Sequence, residues 1–166
     1  MKKLDSSQIA GLVANAGIII SILFLAYELR QNTITARSQA SQGLQDQIAA
    51  NLALTTNPML ADIVLKGNED PTALSALELA QFNSYWTGTF SAYENMYFQV
   101  VEGNYDSDRA AGWWQLLRNL LGYPGAQVHW ESRQFIFSPE FVDYVNHEVL
   151  ALDSTPGYEL GGLVSE

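Results

Sequence analysis

Apolar residues fall along this chain as one continuous block followed by a series of helical stripes. The block runs from Ser6 to Tyr27, SSQIAGLVANAGIIISILFLAY, 22 positions without a charge. At about 1.5 Å per residue it makes a helix of roughly 33 Å, enough for a hydrocarbon layer of about 30 Å. Gln8, Asn15 and Ser21 interrupt it, too few to give the polar stripe of a core helix. After Phe24 the chain reads LAYELR, with no small-residue site of the kind a signal peptidase cleaves. The pattern predicts an uncleaved transmembrane helix over residues 8–29 after an N-terminal tail of residues 1–7, so that the lipid bilayer is the first partner. Tyr27 and Glu28-Leu29-Arg30 fit an exit at the interface. Lys2 and Lys3 precede the block and Arg30 and Arg37 follow it. That near balance is tipped by the free N-terminal amine, which places the N-terminus in the cytoplasm. The expected location is the bacterial inner membrane, single-pass, with the remaining domain in the periplasm.

Ala10, Ala14, Gly17 and Ser21 line one face of this helix at spacings of +4, +3 and +4, and Asn15 stands beside them. Small side chains let a second helix approach closely, and an amide there can hydrogen-bond across the contact. Such residues are also simply common in membrane helices. As a contact face they predict packing against another membrane protein or further copies of this chain.

Beyond Arg30 the apolar positions return at helical spacing. Ile34, Ala40, Leu44, Ile48 and Leu52 form a narrow stripe, which extends the helix to about Thr55, with a break expected at the weak helix formers of QNTIT. Asn57-Pro58 starts a short helix with Met59, Ile63 and Val64 inward and Gly67 at its end. Ser75-x-x-Glu78 is a capping box. The helix after it carries Phe82, Trp86, Phe90, Tyr93 and Tyr97 on one face, and Gly103-Asn104 stops it. Asp106 or Ser107 opens a fourth helix closed by Gly122. Pro124 opens a fifth, GAQVHWESRQFIF, and Ser138-Pro139 a sixth with Phe141, Val142, Val145, Val149 and Leu152 on its apolar side. No alternating run is long enough for a sheet. The expected fold is all-α: a transmembrane helix leading into a small antiparallel helical bundle, residues 30–152, with an aperiodic C-terminal tail, residues 153–166.

Composition narrows what such a bundle does. Lys and Arg number 8 against 18 Asp and Glu. Beyond residue 37 only Lys66, Arg109, Arg118 and Arg133 are basic, while every acid except Asp5 and Glu28 lies there. Affinity for nucleic acid comes mainly from cationic side chains displacing counterions, so no nucleic acid is expected as a partner. The absence of cysteine removes thiolate catalysis, disulfides and Cys-based metal sites. The histidines, His129 and His147, follow Ala126 and Tyr144 by three residues, so neither belongs to the Glu-x-x-His pairs of a di-iron bundle. No G-x-S-x-G, phosphate loop or dinucleotide fingerprint is present, and no cofactor, metal or catalytic residue is expected.

The polar residues that stand out lie among the aromatic helices. Glu94 and Asn95 sit between Tyr93 and Tyr97; Arg118 follows Trp113-Trp114; Arg133 follows Trp130-Glu131. Pairing of Glu94 with Arg118 or Arg133, over tryptophan faces, would fix helix register. The same four residues would also wall a small aromatic pocket for an anionic or planar ligand.

In order along the chain, LAYELRQN after an apolar helix, NPMLADIVLKG, YENMYFQ, GWW, HWESR and FSPEFVDYV resemble a family of uncharacterised bacterial single-pass membrane proteins. The resemblance covers most of residues 10–150 and implies a helical membrane protein without an assigned activity. The acidic composition and the final tail depart from the family pattern.

The expected function is that of a membrane-anchored, non-enzymatic interaction or accessory protein, a subunit of a homo-oligomer or of a larger membrane complex. A small-molecule sensor built around Glu94 and Arg118 is the alternative, and an unrecognised hydrolase is a third reading.

Overall fold

The computed structural model describes residues 5–54 and 56–153, without the side chains of residues 6–10, 13, 14 and 52. Among these residues the chain is an all-α helical bundle: six α-helices, two 3-10 turns, one π turn and no strand. The chain divides into two compact units, Met1–Gln39 and Ala40–Glu166.

Helix α1 spans Ser6–Leu54 without interruption. The expected break at QNTIT is absent, because polar side chains there bond within the helix. Gln31 Nε2 donates to the Tyr27 hydroxyl at 2.7 Å, and Thr33 Oγ1 donates to the Leu29 carbonyl at 2.9 Å. The expectation of a single-pass inner-membrane protein with residues 8–29 in the bilayer is corrected: among the described residues no helix is long and apolar enough to cross a membrane. Asn15 and Ser21 interrupt the apolar run of α1, and Glu28 and Arg30 close it.

The second unit begins within α1 at Ala40 and continues through α2 (Pro58–Glu69), α3 (Ala76–Val101), α4 (Ser107–Leu120), α5 (Pro124–Arg133) and α6 (Pro139–Tyr144). Local chemistry explains most of the boundaries. Asn57 caps α2 by accepting the Met59 amide at 3.0 Å, with Pro58 in the first turn. Gly67 does not end α2. The helix runs on to Glu69, and Asp70 then caps a 3-10 turn, Pro71–Ala73, by accepting the Thr72 amide. Ser75 and Glu78 form the reciprocal capping box of α3, and Gly103 adopts the left-handed conformation after it (φ +70°). Asp106 caps α4. The α5 helix stops at Arg133 and passes into a 3-10 turn, Gln134–Ile136.

Helix α3 carries the core. Phe82, Trp86 and Phe90 are almost completely buried, Tyr93 nearly so, and Tyr97 half-buried. Phe90 meets Trp86 (5.4 Å between ring centres), Trp130 (4.8 Å) and Phe137 (6.1 Å). From there ring contacts pass through Phe141 and Tyr97 to Tyr144 and Trp114. Phe141, Val145 and Val149 all face this core. They are four residues apart, and the π turn Val145–Val149, marked by the bond from Leu150 N to Val145 O at 3.0 Å, takes back the drift that this spacing builds up at 3.6 residues per turn. Met59, expected inward, is 69% exposed, while Ile63 and Val64 are buried. Met59 is the second residue of α2, and burial begins one turn later, at Ile63.

Helices α2 and α5 cross where both are glycine. A Cβ on Gly125 would overlap the Gly67 carbonyl oxygen and lie 2.8 Å from its carbon and 2.9 Å from the Asn68 Cα. Backbone cannot yield as a flexible side chain can. Gly125→Ala is therefore expected to cost on the order of 2–3 kcal/mol in urea unfolding. Gly112→Ala, on an exposed stretch of α4 with open space around it, should gain about 0.5–1 kcal/mol. Equal stability of the two variants would refute the close crossing.

Candidate functional site

The four polar residues singled out in the sequence take four different partners. Glu94, half-buried on α3, accepts the Ser138 amide through Oε1 at 2.7 Å. Ser138 itself makes no side-chain cap, so the start of α6 is capped by a carboxylate from another helix. Arg118 donates through Nε to the Leu152 carbonyl at 2.9 Å. Asn95 donates to Gln47 Oε1 on α1 at 2.9 Å and receives Gln99 Nε2 at 3.4 Å. Arg133 is exposed at the end of α5, near His129. Glu94 pairs with neither arginine; among the described residues Lys66 pairs with Glu78 (3.5 Å), and His147 Nδ1 lies 2.9 Å from the Asp143 carboxylate. The expected pairing gives way because the open backbone amide at the start of α6 is within Glu94's reach, while Arg118 is held at the end of the chain described.

Of the expected helix-contact face, Asn15, Gly17 and Ser21 are exposed on α1, and Ser21 Oγ donates to the Gly17 carbonyl at 2.8 Å. The side chains of Ala10 and Ala14 lie outside the described residues. Around that face the apolar surface continues. Ile18, Ile19, Ile20, Ile22, Leu23 and Phe24 are each 58–66% exposed.

A lone histidine beside Trp130 reads from the sequence as a packed core or rim residue, and the structure buries it in the second unit. His129 on α5 is 2% exposed and lies parallel to Phe90, ring centres 6.0 Å apart. Its Nδ1 is 3.0 Å from Asn83 Oδ1 and its Nε2 3.4 Å from Thr87 Oγ1. Nδ1–H donating to Asn83, with Nε2 accepting from Thr87, satisfies both nitrogens of a neutral ring. Burial first, and the Arg133 charge second, push its pKa down to about 4. Asn83 and Thr87 stand four apart on α3, one turn apart along the edge of the aromatic stripe, and that spacing was the available signal.

A cavity of about 70 Å³ opens between α1, α3 and α4. Ile48 and Asn51 line it from α1, Thr89 and Met96 from α3, Trp113 and Leu120 from α4. None of Glu94, Asn95, Arg118 and Arg133 reaches it. Asn51 Nδ2 donates to the Gly88 carbonyl (3.2 Å) and Thr89 Oγ1 to the Tyr85 carbonyl (2.9 Å). Among the described residues no group of three or more His, Asp or Glu side chains is placed to hold a metal ion.

No family model matches the chain, nor does any curated protein or solved structure.

Glu94→Gln keeps an acceptor for the Ser138 amide and should change unfolding free energy little, while Glu94→Ala leaves that amide unpaired and costs about 1–3 kcal/mol. Equal losses would mean that the charge matters rather than the hydrogen bond. For His129 the folded pKa of about 4 lies below the unfolded value near 6.5. Between these values the unfolded chain binds a proton that the folded one refuses, so stability is full above pH 6.5 and falls as pH drops toward 4, at up to about 1.4 kcal/mol per unit. Urea titrations at pH 4.5, 5.5 and 7 should show this slope in the wild type and a shallower one in His129→Gln.

Proposed function

We propose that the protein is a non-enzymatic interaction protein that assembles with further copies of itself through the apolar part of α1, Ala16–Tyr27. One observation carries this reading. Consecutive residues of a helix project about 100° apart, so Ile18, Ile19 and Ile20, followed by Ile22, Leu23, Phe24 and Leu25, cover the whole circumference. All seven are more than half exposed. A helix that is apolar all round requires cover on every side. Identical copies share that requirement, and a symmetric bundle covers the inward and lateral faces of each at once. Gly17 and Ser21, one turn apart with no neighbouring atoms at Gly17, give a place for close helix approach, and the Ser21 hydroxyl is already satisfied by its own helix. The net charge of −10 opposes indiscriminate aggregation of the rest of the chain. The non-enzymatic part is supported by the histidines, both of which are engaged: His129 in the core with Asn83, and His147 with Asp143.

Sedimentation velocity of the full chain over a hundredfold concentration range tests the reading. A defined oligomer is expected for the wild type, and a monomer for the double variant Ile20→Glu/Phe24→Glu with an unchanged helical circular-dichroism spectrum. A wild-type monomer throughout, or an oligomer that the double variant preserves, would overturn it.

A further inference from the structure

We propose that the cavity between α1, α3 and α4 is a binding site for a compact apolar group, about the size of a three- or four-carbon fragment. Its walls are aliphatic and aromatic: Ile48, Ala92, Met96, Leu116 and Leu120, with Trp113 half-buried at the rim. An apolar protein cavity of about 150 Å³ takes benzene; at about 70 Å³ this one suits something smaller. Four polar side chains, Asn51, Tyr85, Thr89 and Tyr93, share the wall. Asn51 and Thr89 each spend a donor on a backbone carbonyl, of Gly88 and Tyr85. The rest of the wall is apolar, so an apolar guest gains contact with most of it. Met96 is unbranched and adaptable, and lets the wall close on guests of slightly different shape.

The access route is also built. Helix α1 is held to α3 by amide hydrogen bonds, Asn95 to Gln47 and Asn51 to Gly88, and its fully buried apolar contribution among the described side chains is Leu44 alone. Ile48, at the cavity, is half-buried. Polar bonds of this kind exchange with water at small net cost, so the α1 side of the cavity can part to admit a guest while the aromatic core stays packed. This site is independent of self-association through Ala16–Tyr27, since every residue lining it belongs to the second unit.

The test uses the full chain with ¹³C-methyl-labelled methionine, titrated with 1-butanol and followed by NMR. Met96 reports the cavity and Met59, 69% exposed on α2, reports bulk solvent effects. A saturable shift of the Met96 methyl with Met59 unmoved is expected. Ala92→Leu adds three carbon atoms inside the cavity and should weaken the apparent affinity at least tenfold, with an unchanged or raised melting temperature. Leu116→Phe narrows the same space from α4 and supplies the same tenfold loss should Ala92→Leu fail to fold. An unmoved Met96, parallel linear shifts of both methionines, or full affinity in the folded variants would overturn the proposal.

Discussion

Phe90 is where the second unit is joined. Its ring meets Trp86 from its own helix, Trp130 and His129 from α5, and Phe137 from the connection to α6. Each well-placed aromatic pair adds about 0.5–1.5 kcal/mol beyond the area it buries. Four such contacts at one side chain make it the point through which α3, α5 and α6 are held in one arrangement. The other joints are positioned from here. Trp86 reaches Asn68 on α2 with its indole N–H at 3.1 Å, and Trp130 reaches Asn146 in the π turn at 2.9 Å. Large rings fill the interior, and their polar edges choose which segments lie next to it.

Apart from Lys66–Glu78 between α2 and α3, the described polar side chains bind helices together without opposite charges. With few cations available, the carboxylates and amides of this unit turn to backbone and to one another. Glu94 takes a backbone amide, Arg118 a backbone carbonyl, and Gln47, Asn95 and Gln99 form a ladder between α1 and α3. The neutral Gln47–Asn95–Gln99 bonds avoid the desolvation cost of a buried ion pair. They also leave this seam insensitive to salt.

The sequence was most legible where one residue type serves one local purpose. Asn57-Pro58, Ser75 with Glu78, and Asp106 mark helix starts by chemistry confined to a single turn, and the structure has all three starts. The aromatic stripe of α3 was readable from its period alone. What was not legible depends on which residues other helices bring near. Glu94 beside aromatic residues looks like half of an ion pair, and only the position of α6 reveals the amide it serves. Gly67 reads as a helix stop, yet it is kept inside α2 because α5 presses Gly125 against it. The length of the apolar block suggested a membrane span, but among the described residues no helix is long and apolar enough to cross one. The cavity beside Trp113 has no sequence signature at all, because it is a gap between three helices.

The remote cap on α6 bears on how the chain becomes ordered. Glu94 and Ser138 are separated by 44 positions, so the boundary of this short helix is written far upstream of it. A local cap forms with the first turn it serves; this one forms only when a long loop has closed and its entropy has been spent. The start of α6 thus depends on the long-range closure that brings Glu94 to the Ser138 amide. Insertions in the segments between α3 and α6 then act on the start of α6 through geometry alone, even where they touch none of its residues.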